Sequence, residues 1–94
     1  MIIVSGKIYV RPSTRQDFLQ SSAEAVALAR RARGCRDFVV AADPLEPDRV
    51  NVYEEWETEE ALLTFRDEGP GAELSSVIVR AAVSRHLVSS SGAA

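Results

Sequence analysis

The 94-residue sequence holds one cysteine, one histidine and one tryptophan, and no apolar run long enough to cross a bilayer. The lone Cys35 excludes an internal disulfide framework, and a lone His86 excludes a clustered Cys/His metal site. A bilayer span needs about 20 largely apolar residues, so no membrane partner is expected. Positive charge is scarce as well. Eleven Lys and Arg face fourteen Asp and Glu, for a formal net charge of −3 and no basic stripe, which argues against nucleic acid as a partner. Met1-Ile2-Ile3-Val4 has no basic region ahead of its short apolar stretch and does not read as a signal peptide. Together with the unpaired cysteine, this makes the cytoplasm the expected location. Aromatic residues are only 6% of the chain, so its core is thin, and small thin-cored proteins often gain stability by oligomerising.

What is present reads as one soluble α+β domain, residues 1–88, with a disordered polar tail over 89–94. Ile2 to Val10 alternates, with Ile2, Val4, Ile8 and Val10 on one face, which predicts a strand. Ile3 and Tyr9 add apolar surface to its other face. Ser13 or Thr14 can cap a helix running to about Ala32, with Asp17 in its first turn and Gly34 beyond its end. Cys35 to Ala42 predicts a second strand, Asp43 to Asp48 a turn, and Val50 to Trp56 a third strand closing a hairpin. Thr58, followed by Glu59 and Glu60, opens a second helix with Ala61, Leu62 and Phe65 on its apolar side. Gly69-Pro70-Gly71 breaks that helix. Glu73 to Val79 reads as a short helical piece, with Val77 to Val79 equally able to be extended, and Ala81 to Val88 reads as the last strand.

The order βαββαβ predicts a ferredoxin-like fold: a four-stranded antiparallel sheet with both helices on one face. The other face is left bare. Ile3 and Tyr9 would lie on it, and stacking two sheets across a two-fold axis would cover them, so a homodimer is expected.

The segment Asn51-Val-Tyr-Glu-Glu-Trp-Glu-Thr-Glu-Glu-Ala-Leu62 resembles the antibiotic biosynthesis monooxygenase (ABM) family. So do the Val-Arg-Pro that closes the first strand, the Asp-Phe-Leu after it, the Arg-Gly-Cys entry to the second strand and the Asp-Pro turn. The resemblance implies a dimeric α+β barrel and an oxygenase needing no metal, flavin or haem. Such enzymes oxidise electron-rich aromatic compounds, anthrones and hydroquinols among them, with dioxygen. The protein would take a proton, stabilise the resulting oxyanion and hold the ring in a dry pocket between sheet and helices. A non-catalytic dimeric module that binds a small aromatic or hydrophobic metabolite is the alternative, since this fold hosts both.

Candidate residues follow from strand parity. Val50, Val52, Glu54 and Trp56 share one face of the third strand, and Asn51, Tyr53 and Glu55 the other. Trp56 matches the family tryptophan; its indole can wall the pocket with the N–H free for a substrate oxygen, or fill the core. Glu54 can be a base with a burial-raised pKa, or pair with Arg66 or Arg80. His86 is a candidate proton acceptor. Val52, Tyr53, Phe65 and Arg66 are candidate substrate contacts, and Arg66 and Arg85 candidate partners for an anionic intermediate. Val52 stands where some anthrone-oxidising relatives place an Asn. Haem-degrading relatives use an Asn in the first strand and a His following the second helix; here the first strand has no Asn, Arg66 to Ala82 contains no His, and His86 lies too late to take that place.

Overall fold

A computed structural model describes residues 1–68 and 76–94. The elements are β1 (Ile2–Val10), α1 (Arg15–Arg31), β2 (Cys35–Ala42), β3 (Arg49–Trp56), α2 (Glu59–Glu68) and β4 (Ile78–Leu87). The sheet order is β2-β3-β1-β4 with every neighbouring pair antiparallel, the ferredoxin-like arrangement the sequence predicts. No helix among the described residues is long and apolar enough to cross a membrane.

The break expected at Gly69–Gly71 and most of the helical piece expected from Glu73 lie outside the described residues. Ser76 and Val77 form a short 3-10 turn, and β4 begins at Ile78 rather than Ala81. Val79 and Val83 have the β-branched stiffness that favours an extended chain there.

Helix ends carry the expected chemistry with one exception. Thr58 Oγ1 accepts from the N–H of Ala61 at 3.1 Å, capping α2. At α1 neither Ser13 nor Thr14 caps with its side chain. Ser13 sits at φ 69°, and the Thr14 hydroxyl turns back to donate to Arg11 O at 2.6 Å, so only the Thr14 backbone carbonyl serves the helix, accepting from Phe18 N at 2.9 Å. Gly34 adopts φ +82°, the left-handed turn expected after α1. Its carbonyl accepts from Glu57 N at 2.7 Å, and a Cβ there would lie 2.5 Å from that of Ala61. Gly34 therefore lets α2 cross directly over the α1–β2 corner.

The β2–β3 turn is held by side chains. Asp43 accepts from the N–H groups of Leu45 and Glu46 and from Asn51 Nδ2. Arg15 Nη1, from the first turn of α1, donates to the carbonyls of Asp43, Glu46 and Arg49 at 3.2, 2.9 and 3.3 Å. One guanidinium thus ties the hairpin end to the helix, since three converging carbonyls need a cation that presents several donors.

The core lies between sheet and helices in two parts. One gathers Ile2, Val4, Ala29, Phe38, Trp56 and Leu62; the other gathers Val10, Phe18 and Val50.

Candidate functional site

Register places the side chains in rows across the helix-covered face. Leu87, Ile2, Trp56 and Cys35 form one row, and Arg85, Val4, Glu54 and Phe38 the next. Val83, Gly6, Val52 and Val40 form a third, and Ala81, Ile8, Val50 and Ala42 a fourth. The first two rows carry the Trp56 cluster and the fourth carries the Val50 cluster. Val52 and Val83 belong to neither, and Gly6 between them has no side chain. Among the described residues the core is interrupted along this row at Val83, Gly6 and Val52, while Val40 at its β2 end packs against both clusters. Val83 is 38% exposed and Val52 half-buried, so α2 leaves that part of the sheet open.

Gly6 is required by the sheet itself. A Cβ built on it would collide with the carbonyl oxygen of Ala82 and lie 2.6 Å from Val83 Cα. The neighbouring strand's backbone therefore keeps this position bare, and the dent in the sheet floor follows.

Glu54 stands in the row beside the interruption and Trp56 one row further along, on one face of β3 as the parity of the strand requires. Trp56 is fully buried, and its ring lies 5.4 Å from that of Phe65, which in turn meets Phe38 edge-on at 5.9 Å. The indole N–H is not free. It donates to Glu54 Oε1 at 2.9 Å, so the expectation of an open donor for a substrate oxygen is corrected. A buried indole needs an acceptor, and the residue two positions earlier on the same strand face supplies it.

Glu54 is only 8% exposed. Burial pushes its carboxyl pKa up, while the Trp56 N–H and the charge of Arg66 pull it back less strongly. The ion pair expected with Arg66 or Arg80 is replaced by this hydrogen bond. Arg66 acts through its charge, and Arg80 lies on the opposite face with its guanidinium 4.0 Å from the centre of the Tyr9 ring.

Two candidates are separated from the pair. His86 is level with Ile3, and Tyr53 with Ser5, so both point to the bare face of the sheet. Tyr53 is bonded there to Glu55, which raises the phenol pKa. Strand parity within β3 was available from sequence, but the parity of β4 relative to β3 depends on register, which only the fold supplies. Glu54, Trp56 and Phe65 are brought together, and Val52 stands on the same face one row from Glu54, outside that cluster; His86 and Tyr53 are on the other face. Among the described residues no group of three His, Cys, Asp or Glu side chains gathers as a metal site. Burial raises the Cys35 pKa, which keeps the thiol protonated.

Two surface grooves among the described residues lie elsewhere. One of about 1000 Å³ runs between α1 and the hairpin turn, past Arg15, Leu19, Ala42 and Pro47; another of about 280 Å³ lies beside Gly34, Thr58 and Ala61.

The fold and site define a ferredoxin-like α+β domain with a carboxylate–indole pair buried beneath its second helix. The antibiotic biosynthesis monooxygenase (ABM) family model matches residues 1–70 of the 94, and the chain belongs to that family. Among solved structures it is similar to a conserved protein from Methanosarcina mazei Go1, with TM-score 0.79 and 23% identity, covering 90% of this chain and 89% of that one. A protein from Deinococcus radiodurans, provisionally described as an antibiotic biosynthesis monooxygenase, gives TM-score 0.83 at 15% identity over 100% and 98% of the two chains. One from Chloroflexus aurantiacus J-10-fl, described in the same way, gives 0.79 at 21% identity over 98% and 96%. At these identities the likeness establishes the fold. No curated protein sequence matches the chain.

Proposed function

We propose that the protein is a homodimeric, cofactor-independent monooxygenase that oxidises a reduced quinone or polyketide-like phenol with dioxygen. The observation that carries this reading is Glu54, a buried carboxylate of raised pKa beside an aromatic wall and an interruption in the core. A carboxylate in that state is a stronger base than one in water, and so is suited to take the proton of a bound phenol. Independence from a cofactor is taken from the family resemblance.

In the proposed reaction Glu54 takes the phenolic proton. The phenolate passes one electron to dioxygen, and the radical pair joins at a ring carbon that bears hydrogen. Glu54 returns its proton to the peroxide. Loss of the ring hydrogen as a proton, with cleavage of the O–O bond, yields the quinone carbonyl and one water. The Trp56 N–H holds the Oε1 of Glu54 in place, and Phe65 and Val52 contact the ring. On the bare face of the sheet, Ile3, Tyr9, Val39 and Tyr53 are all only half-buried in one chain, which supports pairing of two sheets.

A second reading has its own support. With the indole N–H and Glu54 already satisfying each other, the pair leaves no spare Trp56 donor for a substrate, which suits a module that binds an aromatic metabolite without chemistry. Oxygen uptake with a panel of hydroquinols in the presence of a chelator separates the two. The oxygenase reading expects uptake that falls at least tenfold in Trp56→Phe. Binding across the panel without uptake establishes the module instead.

A further inference from the structure

Arg85 shares the row of Glu54 on the helix-covered face, with Val4 alone between them. Two strand spacings put their Cα atoms about 10 Å apart. The two charged heads do not neutralise each other. Glu54 is held by Trp56, and Arg85 Nη1 is held at 3.3 Å from Glu59 Oε2, in the first turn of α2. Beside this row lies the bare floor at Gly6, flanked by Val52 and Val83. The result is an apolar floor with a buried carboxylate at one end and a half-exposed, oriented guanidinium at the other. Arg85 lies on β4, beyond residues 1–70 that the family model matches.

Resting on the oxygenase reading above, we propose that Arg85 is a specificity-determining residue and that the substrate class is a phenol carrying a carboxylate or comparable anionic group on its ring system. The ring lies over Gly6 between Val52 and Val83. Its hydroxyl meets Glu54, and its anionic substituent meets the guanidinium, which can engage a carboxylate through two donors at once. Glu59 competes for Arg85 only as a partly exposed ion pair, which a ligand can displace at little cost. A neutral phenol gains nothing at that end. The arrangement therefore selects by charge at a distance from the reacting carbon, and its loss raises KM and leaves kcat unchanged.

The test uses matched pairs differing only in the carboxylate: hydroquinone against gentisate, and naphthohydroquinone against its carboxylated derivative. Binding is measured by titration calorimetry for the full chain, Arg85→Gln, Arg85→Lys and the control Arg36→Gln, which removes an exposed arginine on β2. The expected result is at least tenfold tighter binding of the acid of each pair to the wild type and to Arg36→Gln. That preference is lost in Arg85→Gln and partly kept in Arg85→Lys. Equal affinities within each pair for the wild type, or a preference that survives in Arg85→Gln, overturn the proposal while leaving the oxygenase reading intact. Failure of all four compounds to bind the wild type overturns both.

Discussion

Trp56 donates its indole N–H to Glu54 across 2.9 Å, and both residues are buried on the helix-covered face. Neither can be changed without affecting the other. Removing the carboxylate leaves a buried N–H unpaired, and removing the N–H leaves a buried carboxylate with one donor fewer.

Replacing Glu54 by Gln keeps an acceptor for Trp56 and removes the charge. Because burial raises the folded-state pKa above the usual 4.5, the ionised form is disfavoured in the folded chain at neutral pH. Glu54→Gln should therefore melt above the wild type at pH 7, with the gap closing as pH falls below about 4.5, where the carboxyl is protonated in both states. Thermal unfolding across pH 4–8 measures this. A variant that melts below the wild type at pH 7 would mean that the charged carboxylate stabilises the fold.

Asp43 behaves in the opposite way. Its hydrogen bonds from Asn51 Nδ2 and from the Glu46 and Leu45 N–H groups hold its pKa at about 2, below the usual 3.8. The stability it contributes is fully present above pH 4 and is lost as pH falls towards 2. Asp43→Asn is expected to unfold at lower temperature than the wild type at pH 7 and to match it near pH 2. An unchanged difference at both pH values would contradict this account of the hairpin turn.

Gly34 combines a left-handed φ of +82° with a near-contact to Ala61. Gly34→Ala is expected to cost more than about 1 kcal/mol, a fall of at least ~4 °C in Tm for a domain of this size. Adding Ala61→Gly removes the steric part only, so the double variant should recover some of the loss and not all of it. Calorimetric melting of the three proteins reads out the partition.

The bare sheet face predicts self-association. Light scattering should give a particle near twice the 10.2 kDa of one chain, and Tyr53→Lys, which adds charge to the centre of that face, should shift it towards the monomer. A monodisperse monomer would leave Ile3 and Tyr9 without a cover.

Most of the fold was legible in the sequence because period-two alternation and turn chemistry are local. Val50, Val52, Glu54 and Trp56 fall on one face from spacing alone, and the structure puts them there. The partnership of Glu54 with Trp56 was within reach of the same parity, since residues two apart on a strand stand side by side; charge led instead to Arg66 and Arg80. The faces of His86 and Arg85 were not legible. They depend on the register of β4 against β1, which includes an irregularity between Tyr9 and Val10 that spacing does not reveal. The need for glycine at Gly6 was likewise hidden, because the atoms that forbid a Cβ come from β4; at Gly34 the left-handed turn was legible from the helix end, and the contact with Ala61 of α2 was not. Arg15 gave no local signal at all, as its three acceptors lie 28 to 34 residues away.

The central claim, that Glu54 is the proton acceptor of an oxygenase, is tested most directly by the pH dependence of oxygen uptake in the wild type, Glu54→Gln and His86→Gln. The account predicts that wild-type uptake falls as pH drops through a pKa above 4.5, that His86→Gln follows the same curve, and that Glu54→Gln loses uptake about 100-fold or more while still binding the phenol. Undiminished uptake in Glu54→Gln, or a curve displaced by the histidine substitution instead, would contradict it.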